Sequence, residues 1–202
     1  MTSLRLEDLA QYSDSLRARS GERVGLRFVE PRDAEELQHY YGSLSTRSRY
    51  NRFLGAMREL PQSLLDRFTD PGRDGGFTVI ATVTVDGFES IVGEARYAFH
   101  AETNNFEFGI SIDDGWQGRG IGAALLENLE CRAAAFGATG LFGDTLRSNG
   151  PMLDLARKAG FSAHNHPDDW KLVRVEKRIG LEPIAVPCAG WPLHGEVRPP
   201  LA

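Results

Sequence analysis

The six residues Gln117-Gly118-Arg119-Gly120-Ile121-Gly122 precede the strongest helical pattern in this sequence. A helix start offers unpaired N–H groups and a partial positive charge, which together suit a phosphate. Glycines there let the backbone approach an anion with no Cβ in the way. The pattern is short and weak alone. Read as Gly118-Arg119-Gly120-Ile121-Gly122-Ala123, the run also approaches the dinucleotide fingerprint G-x-G-x-x-G/A, with Asp144 near the end of the next expected strand. That fingerprint wants its first glycine directly after a strand, within parallel βαβ units, followed by enough chain for a doubly wound sheet. Here a gap separates strand from glycine, the preceding strands form hairpins, and little chain follows Asp144. A phosphate-binding loop of another kind fits better.

Two other clusters carry charge. Arg47, Arg49, Arg52 and Arg58 could guide an acidic partner protein, or form a solvated helix face paired with Asp66 and other acids. His164-Asn165-His166 with Asp168 and Asp169 has ligand types for a metal, but the segment is turn-rich, and no Cys/His spacing resembles a zinc site. No metal is expected.

The elements around these residues follow from periodicity. Val24–Phe28 alternates like a strand. Pro31 and the acids Asp33, Glu35 and Glu36 predict a helix start, running to Tyr41 and stopping at Gly42. Ser43–Phe53 and Ser63–Phe68 predict two shorter helices. Phe77–Val85, Ile91–Phe99 and Phe106–Ile112 predict strands, joined by turns at Asp86-Gly87 and Glu102–Asn105 and therefore antiparallel. Gly120–Phe136 places Leu125, Leu126, Leu129, Ala133 and Phe136 on one stripe, closed by Gly137. A strand at Gly140–Thr145, a helix at Pro151–Lys158 and closing strands at Phe161–Ala163 and Leu172–Val175 complete a mixed α+β domain. Its expected bounds are 23–178. Residues 1–22 then form an extension, with a loose helix over Leu4–Leu16, and 179–202 a proline-rich irregular tail.

A chain of 202 residues, 41% hydrophobic and 25% charged, suits one globular domain. A net charge of −5 gives no support to nucleic-acid binding. No apolar run approaches the ~20 residues of a membrane span, and acids in the first residues argue against a secretory signal. Two cysteines, Cys131 and Cys188, are too few for a disulfide framework, with Cys131 expected to pack mid-helix. A cytoplasmic protein is the expectation. The oligomeric state is open.

Phe106–Phe161 resembles the cofactor-binding core of the GNAT superfamily of N-acetyltransferases. The matching pieces are Phe106–Ile112, Gln117–Gly122 and Asn149–Phe161. Within that superfamily the sequence is most similar to the acetyltransferase domain of bacterial protein-lysine acetyltransferases, through Ser48–Phe53, Gly93–Tyr97 and Asp114–Gly120. The resemblance implies the GNAT fold, a mixed, mostly antiparallel central sheet flanked by helices. It implies acetyl-CoA as co-substrate and a primary amine as acceptor, most consistently a protein lysine. The alternatives are a small-molecule amine, or a regulatory module that binds acetyl-CoA without turnover.

Carried over residue by residue, the resemblance puts the pyrophosphate on the backbone of Gln117, Gly118, Arg119, Gly120, Ile121 and Gly122, with Arg119 adding charge. Backbone groups of Ile110, Ser111 and Ile112 would pair with the pantetheine arm and polarise the carbonyl. Asn149 would contact the same arm, with Met152 beneath it. A lysine amine must lose a proton before it attacks. Glu107, on the strand before the loop, holds the family's base position, and Glu94 on the neighbouring strand is the reserve. The sequence departs from the family at Ala156, where a tyrosine acid often stands. Tyr97 reads as a buried aromatic, leaving no obvious acid. The large synthetase-like region that often accompanies the protein acetyltransferases is not in these 202 residues.

Overall fold

The Asp86-Gly87 turn has φ of 51° and 84°, the left-handed pair that a two-residue hairpin requires. It joins the two longest strands of the computed structural model, which describes residues 13–70 and 75–180. In chain order the strands are β1 (Asp14–Arg17), β2 (Arg23–Phe28), β3 (Gly76–Val85), β4 (Phe88–His100), β5 (Asn105–Ile112), β6 (Gly140–Leu146), β7 (Ser162–Asn165) and β8 (Leu172–Arg178). The helices are α1 (Ala34–Ser43), α2 (Thr46–Phe53), α3 (Gln62–Thr69), α4 (Ile121–Phe136) and α5 (Gly150–Lys158). All eight strands form one sheet in the order β1-β2-β3-β4-β5-β6-β8-β7. The expected α+β architecture and nearly every expected element are present.

One arrangement differs from expectation, and a second was not specified by it. Asp14–Arg17, placed in a helical extension from sequence, pairs antiparallel with β2 and belongs to the sheet. β8 inserts between β6 and β7, so the last two strands are not in chain order. The rest of that extension, and the tail from Leu181, lie outside the described residues.

The sheet is sandwiched. α4 lays Leu125, Leu126, Leu129 and Ala133 against Phe106, Val79 and Ala95. Each fully buried leucine contributes roughly 1.5–3 kcal/mol. On the opposite face α1 and α3 bury Leu37, Tyr40, Tyr41, Leu65 and Phe68 over Ile80 and Ile91. At the edge of that face Arg27 binds Asp33 through two nitrogens, at 2.7 and 2.9 Å, and Glu89 at 2.6 Å. This ties β2 and β4 to the start of α1.

Cys131 is buried in α4 and is disulfide-bonded. The cysteine count therefore does not argue for a reducing compartment. Cys188, the other cysteine of the sequence, lies outside the described residues. Among the described residues, no helix is long and apolar enough to cross a membrane.

Candidate active site

Parallel pairing occurs between β5 and β6, and it covers only Asn105–Glu107 against Gly140–Phe142. β5 continues to Ile112 without β6, so the sheet splits beyond Glu107. The ladder to β4 fixes which backbone groups face the split. Asp113 N–H donates to the Val92 carbonyl at 2.9 Å, so alternation turns the N–H and C=O of Ile110 and Ile112 the other way. They face the gap, and the Ile112 carbonyl accepts from Gln117 Nε2 at 3.2 Å. A cleft of about 1020 Å³ opens there, lined by Ile110, Ser111, Ile112, the glycine loop, the first turns of α4, one side of α5 and the inner side of α2.

The loop has the backbone its sequence demanded. Gly118 and Gly120 adopt φ of +75° and +96°, where only glycine is unstrained, and a Cβ at either would project into open space. Gly122 is glycine for a different reason: a Cβ there would come within 3.0 Å of Leu155, so α4 and α5 could not pack as closely. Ala124 is the first residue to donate back into the helix, to Gly120. The N–H groups of Ile121, Gly122 and Ala123 thus lie at the cleft without a helical partner. Gln117, Gly118, Gly120, Ile121 and Gly122 all line the cleft.

Arg119 does not. Its guanidinium turns away to Ser20, Glu22 and the Gly115 carbonyl and lies over the Trp116 ring at 4.5 Å. Asn149 caps α5, its Oδ1 accepting from Met152 N–H at 3.4 Å and its Nδ2 donating to Thr145. Asn149 and Met152 both line the cleft, opposite the loop.

Glu107 stands at the last paired position before the split, outside the cleft lining. Its carboxylate meets His100 Nε2 at 2.9 Å, and both side chains are about half exposed, at 48% and 42%. It shares its sheet face with Gly109 and Ser111, the face that carries α2.

Glu94 is the opposite case. It is fully buried, and both oxygens are taken by Arg52, at 2.7 and 2.9 Å. Ser111 Oγ also donates to it at 3.3 Å, and so must accept from the Tyr40 hydroxyl at 2.9 Å. Burial pushes Tyr40 well above the usual phenol range. Tyr97 is likewise buried, among Phe28, Phe77 and Phe106, and burial raises it too. It is core.

The arginine cluster divides: Arg47 and Arg58 are exposed, whereas Arg52 is held inside. Besides Arg52, Arg49 donates to the Tyr41 and Gly42 carbonyls at the end of α1. Arg47 lines the cleft. His166 accepts backbone N–H groups from Asp168 and Asp169 on Nδ1, while Nε2 lies 3.3 Å from Asp144. Asp144 is bound by Arg174 through both oxygens, which leaves it no role in binding a ribose.

Sequence reasoning missed how α2 is attached. Asp114, in the turn after β5, accepts from Ser45 N–H, Ser45 Oγ and Ser48 Oγ at 2.7–2.9 Å, so the glycine loop anchors the start of α2. Ser45 at the helix cap was a visible signal. Its partner 69 residues away was not.

Residues 37–161 match the acetyltransferase (GNAT) family. An acetyltransferase of Pseudomonas aeruginosa is 32% identical over 149 residues, spanning 74% of this chain and 80% of that one. The crystal structure of the GNAT domain of S. lividans PAT superposes with a TM-score of 0.74 at 25% identity, over 82% of this chain and 96% of that one. A spermidine N-acetyltransferase of Vibrio cholerae, solved with CoA and spermine, shares the fold with a TM-score of 0.62 at 13% identity, over 77% and 95%.

Proposed function

Since the chain belongs to the GNAT family of acetyl-CoA-dependent N-acetyltransferases, we propose that it acetylates a protein lysine, with Glu107 as general base. The observation that carries this reading is the open setting of Glu107: a half-exposed carboxylate where the sheet parts, on the face away from α4. A lysine presented on a protein surface can reach such a carboxylate without entering an enclosed pocket. The likeness to a PAT acetyltransferase domain points the same way.

In this scheme the loop N–H groups hold the pyrophosphate. The pantetheine arm runs between β5 and α5, pairing with Ile110 and Ile112. Glu107 takes the proton from the amine, whose nitrogen attacks the thioester carbonyl. Backbone N–H donors at the split bear the oxyanion. The C–S bond then breaks, and water protonates the departing thiolate, since neither Tyr97 nor Ala156 offers an acid. Glu94 drops out as a base because Arg52 occupies both its oxygens. Its use of acetyl-CoA, a cytoplasmic thioester, is the reason to place the protein in the cytoplasm.

The test is thiol release from acetyl-CoA supplied with a lysine-peptide pool, a polyamine pool, or neither. Turnover with peptides is expected. Faster turnover with polyamines would transfer the reading to a small-amine acceptor, the fold of the spermidine enzyme being compatible with either.

A further inference from the structure

The N-terminal hairpin is docked on the glycine loop. Its turn is closed by Ala18 N–H to the Glu22 carbonyl at 2.8 Å and Gly21 N–H to the Ala18 carbonyl at 2.9 Å. Its tip donates Arg19 N–H to the Arg119 carbonyl at 3.1 Å. Arg119 returns the contact through its side chain, at 3.1 Å to Ser20 and 3.2 Å to Glu22, with its other terminal nitrogen on Gly115. The loop arginine thus holds the hairpin rather than reaching the cleft.

What reaches the cleft is Arg19, which lines it beside Gln117, Gly118 and Gly120. Its side chain pairs with no carboxylate among the described residues. Of the other charges at the cleft, Arg52 is committed to Glu94, Asp114 to Ser45 and Ser48, Glu130 to Lys177 and Asp154 to Arg157, while Arg47, Glu127 and Lys158 line it from α2, α4 and α5. Acetyl-CoA brings a pyrophosphate and a 3′-phosphate, the latter alone carrying about −1.5 to −2 charge at neutral pH. The start of α4 offers roughly half an elementary charge, so a helix end alone leaves most of that charge unmatched, in a protein that is itself net negative.

We propose that Arg19 binds the phosphates of acetyl-CoA, delivered to the cleft by the β1–β2 hairpin, with Arg119 as the positioning residue that fixes the hairpin. The proposal rests on acetyl-CoA being the donor. It assigns part of the donor site to a segment that sequence alone had left outside the domain.

The experiment compares wild type with Arg19→Ala and Arg19→Glu on three donors: acetyl-CoA, its 3′-dephospho form, and acetyl-pantetheine, which carries no phosphate. Arg19→Glu should raise KM for acetyl-CoA roughly tenfold at low salt, the loss of one charge-assisted contact, with kcat within about twofold and the effect shrinking as salt rises. Arg19→Ala should show a smaller rise in the same direction. KM for acetyl-pantetheine should be the same in all three proteins. A penalty that disappears with the dephospho donor places Arg19 on the 3′-phosphate; one that persists places it on the pyrophosphate. An unchanged KM for acetyl-CoA, or an equal rise with acetyl-pantetheine, would overturn the assignment and leave the hairpin purely structural. Calorimetric binding of CoA to wild type keeps the two levels apart, because its failure would overturn the donor itself rather than Arg19.

Discussion

Arg52 and Glu94 face each other through paired hydrogen bonds beneath the split in the sheet, from Nε to Oε2 at 2.9 Å and from Nη2 to Oε1 at 2.7 Å. Glu94 is wholly buried and the Arg52 side chain is 10% exposed. Burial opposes the Arg52 charge, but Glu94 outweighs it and holds the guanidinium firmly protonated. The pair fastens α2 to β4 beside the cleft. Removing one member strands the other charge in the interior, which typically costs about 3–5 kcal/mol. Arg52→Ala should therefore lower stability in urea by that order, at any salt concentration. A loss that salt abolishes would mean the pair is effectively solvated.

Arg49 gives the companion prediction. Its guanidinium is spent on carbonyls at the end of α1, so Arg49→Glu should reduce stability without a salt-dependent change in KM for a protein acceptor. A KM that rises at low salt and recovers at high salt would restore Arg49 as a recruiting residue.

Glu107 should behave as a chemical rather than a structural carboxylate. Glu107→Gln keeps the shape and loses the basicity, so kcat should fall by ~10²–10⁴ while CoA binding and the unfolding midpoint stay near wild type. Raising pH should partly rescue the variant by supplying free amine. Full activity in Glu107→Gln would remove it from the mechanism.

The loop predicts a ligand effect on melting. CoA should protect wild type and NAD should not. Gly120→Val should abolish that protection. Since φ at this position is +96°, valine will also lower the melting temperature by itself. The quantity to compare is therefore the shift on adding CoA, within each protein. An unchanged shift in the variant would mean the loop is only a turn.

Acid stability tests the Arg27 network. Burial pushes the Asp33 carboxyl up, but hydrogen bonds from Arg27 and from Glu30 N–H hold it below the usual range; Arg27 lowers Glu89 as well. Carboxylates held below their unfolded values, about 3.9 and 4.3, stabilise the fold above those values and lose that contribution as pH falls through the lower folded ones. Urea stability should hold above roughly pH 5 and decline below it. Arg27→Met should flatten the decline. An unchanged slope would assign it to other groups.

Local signals carried most of the fold. Asp86-Gly87 announced its hairpin, and the stripe from Leu125 to Phe136 announced α4, because both depend on residues close in sequence. β1 was missed because four residues of mixed polarity carry no period long enough to recognise. The placement of β8 between β6 and β7 depends on pairing between residues far apart in the chain. In the site, the glycine loop was legible since positive φ demands glycine, whereas Arg19, Ser48 and Asp114 act through tertiary contacts. One signal was available and unused. Gly109 interrupts β5, and glycine inside a strand often marks a close approach; a Cβ there would lie 2.7 Å from Arg52 Nη1. That glycine pointed to something packed on the strand, and the something is the buried arginine.

The brief pairing of β5 with β6 has a kinetic consequence. The cleft is lined from both sides of the sheet, by Leu126 and Leu155 on one and by Asn51 and Arg52 on the other. With Glu107 on the second side, the proposed scheme would make the strand gap a window in a partition, donor and amine each arriving through a separate door. On that scheme neither would have to leave before the other enters, so both would occupy the enzyme together and acetyl would pass directly between them. Initial-rate plots should then intersect rather than run parallel, and free CoA should compete with acetyl-CoA but not with the amine.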